Sequence, residues 1–206
     1  MQDAFPGSWA TQPHFSTEKL GSLHELNHRF LDLVGARACE PAPVGALRLP
    51  GGASGRLAPL SAAQRAAAAN CPYALFDLRF DDDAYWRTRL SGAGHWGVAE
   101  ESDAEDDTVR FVRLALFYAW HVAATAKLAA QLLLGMNAHT AAAFRTVTFD
   151  CLPSLAGSEA KNLAARWSTS EPYWNALVGA AARPDALRLR RVQLFGLQLA
   201  AAAGLP

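Results

Sequence analysis

One stretch of this chain occurs twice, and a repeat of this length means one structural unit used twice. The first copy runs from Leu57 and Leu60 through Phe76-Asp77-Leu78-Arg79-Phe80 to Tyr85-Trp86. The second runs from Phe144 and Val147 through Leu163-Ala164-Ala165-Arg166-Trp167 to Tyr173-Trp174. Leu57 and Phe144, Leu60 and Val147, Phe76 and Leu163, Arg79 and Arg166, and Phe80 and Trp167 all lie 87 apart. The Tyr-Trp pairs lie 88 apart, so one inserted residue between Phe80 and Tyr85 reconciles the two copies. They share apolar and aromatic positions, one Arg and little else, which is shared packing rather than shared chemistry.

The chain has 206 residues, enough for one or two domains with a substantial core. Hydrophobic residues make up 51% and charged residues 18%, a globular rather than a disordered composition. Nineteen basic and nineteen acidic residues cancel. Nucleic-acid affinity comes largely from neutralising phosphates, so any DNA contact must come from a local patch or a partner. The apolar reach Leu114 to Met136 is interrupted by His121, Lys127 and Gln131 and is rich in Ala, so it reads as a core helix and not a membrane span. The first residues carry neither a basic nor an apolar leader pattern, which makes a cytoplasmic location the expectation. Cys39, Cys71 and Cys151 give an odd count without CxxC spacing, against both a disulfide framework and a zinc knuckle.

Along the chain, helical signals dominate. Residues 1–15 read as an irregular arm. Ser22 with Glu25 fits a capping box, with Thr17 to Lys19 also open to helix, and Leu23, Leu26, Phe30, Leu33 and Val34 form an apolar stripe that Gly35 ends. Ser61 caps an Ala-rich helix, and Phe76 to Phe80 has the alternation of a short extended piece. Asp81 to Asp83 opens a helix carrying Tyr85, Trp86 and Leu90. Six acids between Glu100 and Asp107 make a solvated linker that feeds negative charge to the next helix N-terminus. Residues 108–134 read as the longest helix, with His121 a core or interface residue; Asn137 caps the next, and Gly157 is a left-handed stop. Ser170-Glu171-Pro172 precedes Tyr173-Trp174, and Pro184 opens a last amphipathic helix. The expected fold is all-α: an arm (1–15), unit one (16–94), an acidic linker (95–107), unit two (108–182) and a C-terminal helix (183–206).

His24-Glu25-Leu26-Asn27-His28 matches H-E-x-x-H on a helix, where two histidines four apart can hold zinc and the Glu can activate a bound water. That would make the chain a zinc-dependent hydrolase using His24, Glu25 and His28. Three features weigh against it. The extended form of the motif needs Gly at 31 and His at 34, which hold Leu31 and Val34, leaving Glu40 and other downstream acids as third ligands. No strands bordering a protease cleft are in evidence, and the second copy lacks the pair. The Gly51-Gly52 turn lacks the Gly and Lys of a phosphate loop. No cofactor is expected. Arg79 and Arg166 can each stack on an aromatic neighbour or bridge two short helices through exposed carbonyls; we favour bridging.

Leu26-Asn27 with Phe30, Arg48-Leu49, Leu57 and Leu60 with Gln64, and Leu78-Arg79-Phe80-Asp81 together resemble the flagellar transcriptional activator FlhD family. The second copy is similar to the same family at Leu134-Gly135-Met136-Asn137, Phe144, Val147, Phe149, Leu155-Ala156 and Arg166-Trp167, so the likeness covers most of residues 20–180. The resemblance implies a dimerising helical regulator of transcription that works with a second subunit, FlhC. Chains of the family are about half this length, so two tandem units forming a pseudo-dimer within one chain are expected here. The family's Cys before its Phe-Arg-Phe is Phe76 here, so no intersubunit disulfide is expected. No catalytic residue is proposed. The residues expected to define the units, and to mediate interaction, are Arg79, Phe80, Tyr85, Trp86, Arg166, Trp167, Tyr173 and Trp174. The implied partner is FlhC-like or another protein, with DNA reached only through a complex; a non-DNA-binding adaptor is the remaining alternative. The most basic stretch, Arg183 with Arg188, Arg190 and Arg191, reads as a solvated face of the last helix.

Overall fold

A computed structural model describes residues 16–38, 47, 49–91, 106–183 and 185–203. The arm, Cys39, Arg48, His95, Pro184 and most of the acidic run lie outside the described residues. The fold is all-α apart from one two-stranded sheet, and no helix among the described residues is long and apolar enough to cross a membrane.

Helix α1 (Thr17–Arg37) begins earlier than the Ser22–Glu25 box suggests. Ser16 is its N-cap, with its hydroxyl accepting from the Lys19 N–H at 3.2 Å, and the helix runs two residues past Gly35. Of the expected stripe, Leu23, Leu26, Phe30 and Val34 are buried with Leu33 half-buried, and Leu31 joins them against α3 (Ala62–Ala69) and α5 (Asp107–Thr125). Within that stripe sits a fully buried Asn27. Its amide donates to the Ala69 and Tyr73 carbonyls at 3.1 and 2.9 Å, and its oxygen accepts from the Leu75 N–H at 2.8 Å. The side chain thus closes the turn between α3 and the sheet, whose backbone groups have lost their helical partners there. Asn27→Ala takes the side-chain partner from the Leu75 N–H and the Tyr73 carbonyl in a dry core, while the Ala69 carbonyl keeps the Cys71 N–H. We expect a loss of about 3–5 kcal/mol in chemical denaturation, from the desolvation cost of each orphaned group.

Short α2 (Ala53–Leu57) follows a 3-10 turn at Pro50–Gly52. Helix α3 carries the expected cap as a full capping box of Ser61 and Gln64. Strand β1 (Phe76–Asp77) leads to α4 (Asp83–Ser91). The long helix expected over 108–134 is two helices: α5 ends at Thr125, Ala126 is extended (φ −156°, ψ 85°), and α6 (Lys127–Leu134) restarts. Neither Gly nor Pro marks the break. Its effect is to aim the C-terminal end of α6 at the sheet, where the Leu133 carbonyl accepts from the Ala74 N–H at 2.7 Å. His121 near that break is exposed rather than in the core. Helix α7 (Ala138–Phe144) is capped by Asn137. Helix α8 (Leu152–Glu159) passes straight through Gly157, so that glycine is no left-handed stop; among the described residues the left-handed glycines are Gly52 and Gly135. Strand β2 (Ala164–Ala165), α9 (Glu171–Ala182) and α10 (Ala186–Ala203) complete the chain.

Helix α4 packs on α7, and α9 packs on α2, α3 and α10, so segments from the two halves of the chain cover one another. Helix α10 approaches most closely at Gly196, where a Cβ would lie 2.0 Å from the Tyr73 hydroxyl. Tyr73 is fully buried and its ring is held between Trp167 and Tyr173, so it has nowhere to retreat. Gly196→Ala is therefore expected to lift α10 from the body and cost about 1–3 kcal/mol, with enhanced amide exchange confined to 186–203 as the readout.

Candidate functional site

The predicted residues gather around the sheet. Strands β1 and β2 are antiparallel, with Phe76 opposite Ala165 and Asp77 opposite Ala164. Adding 88 to Phe76 and Asp77 gives Ala164 and Ala165, so the two strands span corresponding positions at an offset of 88. The inserted residue therefore lies before Phe76, and not between Phe80 and Tyr85. Two further observations agree. Among the described residues, the non-glycine residues with positive φ are Arg79 (58°) and Trp167 (53°). Trp86 Nε1 donates to the Leu78 carbonyl at 3.1 Å and Trp174 Nε1 to the Arg166 carbonyl at 3.0 Å, each reaching eight residues back. Arg79 thus matches Trp167, and Arg166 matches Leu78; the two arginines are not counterparts.

Their environments differ accordingly. Arg79 is exposed, pairs with Asp82 at 2.5 Å and lies 4.3 Å over the Tyr85 ring. Asp82 is held below the usual carboxylate range, first by the Tyr85 N–H and then by Arg79. Arg166 is buried, donates to the Leu133 carbonyl at 3.1 Å and lies 4.7 Å over the Trp167 ring. It also fills the space beside Gly135, where a Cβ would come within 2.5 Å of Nη2. Burial pulls the Arg166 guanidinium below its ordinary value, and the nearby Asp77 charge opposes this. Burial likewise pushes the Asp77 carboxyl up, against the Phe80 N–H and Arg166. Arg166 joins α6 to the sheet as a second donor to the helix-end Leu133 carbonyl, which also accepts from the Ala74 N–H.

The aromatic residues are structural. Phe80, Trp86, Tyr173 and Trp174 are fully buried. Phe80 stacks on Trp86 at 6.0 Å, and both pack on Phe144 of α7. Trp167 meets Tyr73 and Tyr173 edge-on. Tyr173 donates to the Tyr73 hydroxyl at 3.2 Å beside the buried Cys71, whose thiol is raised by burial to about 12. Tyr73 and Tyr173 are raised by burial too. All three therefore stay protonated at neutral pH, as packed hydrogen-bonding groups and not as nucleophiles. Of the eight predicted residues, only Arg79 is exposed, with Tyr85 and Trp167 half-buried.

Sequence reasoning missed a buried acid. Glu159 is fully buried at the end of α8 and accepts from Tyr85 at 2.6 Å, Arg89 at 2.8 Å and Asn162 at 2.7 Å. Tyr85 is raised to about 12, by burial first and then by Glu159. This network ties α4 to α8. The signal for it was Glu159 lying four residues after Leu155 on an otherwise apolar helix face.

In the H-E-x-x-H segment, His28 pairs with Asp32 at 3.3 Å, and exposed Glu25 pairs with Arg29 at 2.9 Å. Burial lowers His24, partly offset by a hydrogen bond to the Cys71 backbone. Among the described residues, no three His, Cys, Asp or Glu side chains are grouped to hold a metal ion. Glu40, named above as a third ligand for that motif, lies outside the described residues.

Comparison with family models, with curated proteins and with solved structures gave no match to this chain.

Proposed function

We propose that the chain is an FlhD-like regulator of transcription that acts through protein contacts, with two units paired inside one polypeptide. The observation that carries this reading is the strand register. Strands whose residues correspond at an offset of 88 pair antiparallel, Phe76 with Ala165 and Asp77 with Ala164, as the same strand of two subunits would around a twofold axis between the pairs. The exchange of α4 onto α7 and α9 onto α2 supports it. In this reading Phe80, Trp86, Tyr173 and Trp174 hold the two units together, and Arg79 is the one predicted residue placed to meet a partner. A net charge of zero makes DNA binding dependent on that partner.

Sedimentation and a gel shift at physiological salt test the proposal. A monomeric chain that shifts promoter DNA only with an FlhC-like subunit is the expected result. Two chains packed through residues 16–94 alone would sink the paired-unit reading. Absence of a shift with or without the second subunit would favour a non-DNA-binding adaptor instead.

A further inference from the structure

Helix α10 lies outside the stretches that resemble FlhD, and its chemistry stands apart from that likeness. Its inner face, Leu189, Val192, Phe195, Gly196 and Leu199, packs on the body. Its outer face is Leu187, Arg190, Leu194, Leu197 and Ala201, all exposed; Leu187 is 71% and Leu194 54% accessible. The spacing is 3-4-3-4, the a/d pattern of a two-stranded helical seam over two heptads, with a single arginine at one d position. Arg191 follows at the flanking e position. Asp185 is the one acid between 183 and 203, and it is occupied capping the helix through the Leu187 and Arg188 N–H groups. No ion pair joins Arg188, Arg190 or Arg191 to any of the described residues.

We propose that this face docks an amphipathic helix of a partner protein, with leucine-like residues at its own a and d positions and a carboxylate opposite Arg190. The charge pattern selects this occupant. The same face of α10 from a second copy would offer arginines and no free acid, so Arg190 would enter the seam uncompensated. An anionic membrane would meet three leucines and an alanine on a helix whose larger apolar face is already committed, a small area for interfacial binding. DNA would place those leucines against phosphates. An acidic helix satisfies both the leucines and the arginines, and a single polar pair in a seam fixes its register.

The test is a peptide-display selection on the immobilised full chain. The library is of helical peptides randomised at a, d, e and g, counter-selected on the Leu194→Glu/Leu197→Glu variant. Enriched peptides are expected to carry apolar residues at 3-4 spacing and an acid at one seam position. For a representative peptide, calorimetry should show binding weakened about tenfold or more by Arg190→Glu. Replacing the peptide's acid with Lys should restore it. The substituted positions are exposed, and unchanged circular dichroism and melting confirm that the variants fold. Several outcomes overturn the proposal: no enrichment over the counter-selected variant, enriched peptides without an acid, or no rescue by the charge swap. Tighter, leucine-dependent binding to phosphatidylglycerol vesicles or duplex DNA, or self-association abolished by Leu194→Glu/Leu197→Glu, does so as well.

Discussion

Arg166→Met is expected to destabilise the protein by about 3–5 kcal/mol, the cost typical of removing one partner from a buried charge network. Methionine can occupy much of the same volume, so the loss is electrostatic more than steric. The Leu133 carbonyl at the end of α6 loses its second donor, and Asp77 loses the positive charge that offsets its burial. Arg79→Met, by contrast, removes an exposed pair with Asp82 and should shift stability by no more than about 0.5 kcal/mol. The pH dependence has a definite sign. Asp77 already titrates above its ordinary value in the folded protein, so its contribution is present at low pH and lost as pH rises through the folded pKa. Without Arg166 that pKa rises further. The deficit of the variant relative to the parent should therefore grow as pH rises above the ordinary carboxylate range in urea denaturation. A deficit that stays constant with pH would show that Asp77 is not coupled to Arg166.

Trp86→Ala and Trp174→Ala should each cost about 3–5 kcal/mol, since both rings are fully buried. Each also leaves an upstream carbonyl without its indole donor. Trp→Phe at either position keeps most of the packing and should cost about 1–2 kcal/mol, largely the lost hydrogen bond. Trp86 packs on Phe144, so its truncation loosens contact between the two halves of the chain as well as within one. Guanidinium denaturation of the four variants checks the ranking. A stable Trp86→Ala protein that loses only partner binding would reverse the assignment of this residue to the core.

These residues also show which parts of the fold could be read from the sequence. Helix α3 was legible because Ser61 caps an alanine-rich run, and α10 because its leucines and Phe195 recur at helical spacing. The Tyr-Trp pairs gave the correct 88-residue offset. The sheet was harder, since two residues per strand are too few for alternation to distinguish a strand from a loop. Arg166 was misleading for a physical reason. Arginine is ordinarily exposed, so matching it to Arg79 by type placed it one position out of register, whereas its burial depends on the space beside Gly135 and on a carbonyl supplied by α6. The break at Ala126 carries no local signal at all. It follows from where the end of α6 must go, which is tertiary information. In the candidate site, the aromatic residues were found, but their role as core was hidden because Tyr and Trp are equally at home in interfaces.

The strand register has a consequence for how the protein is made. Phe76 has no strand partner until Ala165 has been synthesised, and Trp86 has no Phe144 to pack on until more than half of the chain is complete. Contacts this far apart in sequence close large loops and slow folding. A ribosome that has released only the first ninety or so residues therefore carries α1 without α5 and α4 without α7, leaving apolar faces only partly covered, the kind of intermediate that chaperones bind and aggregation competes for.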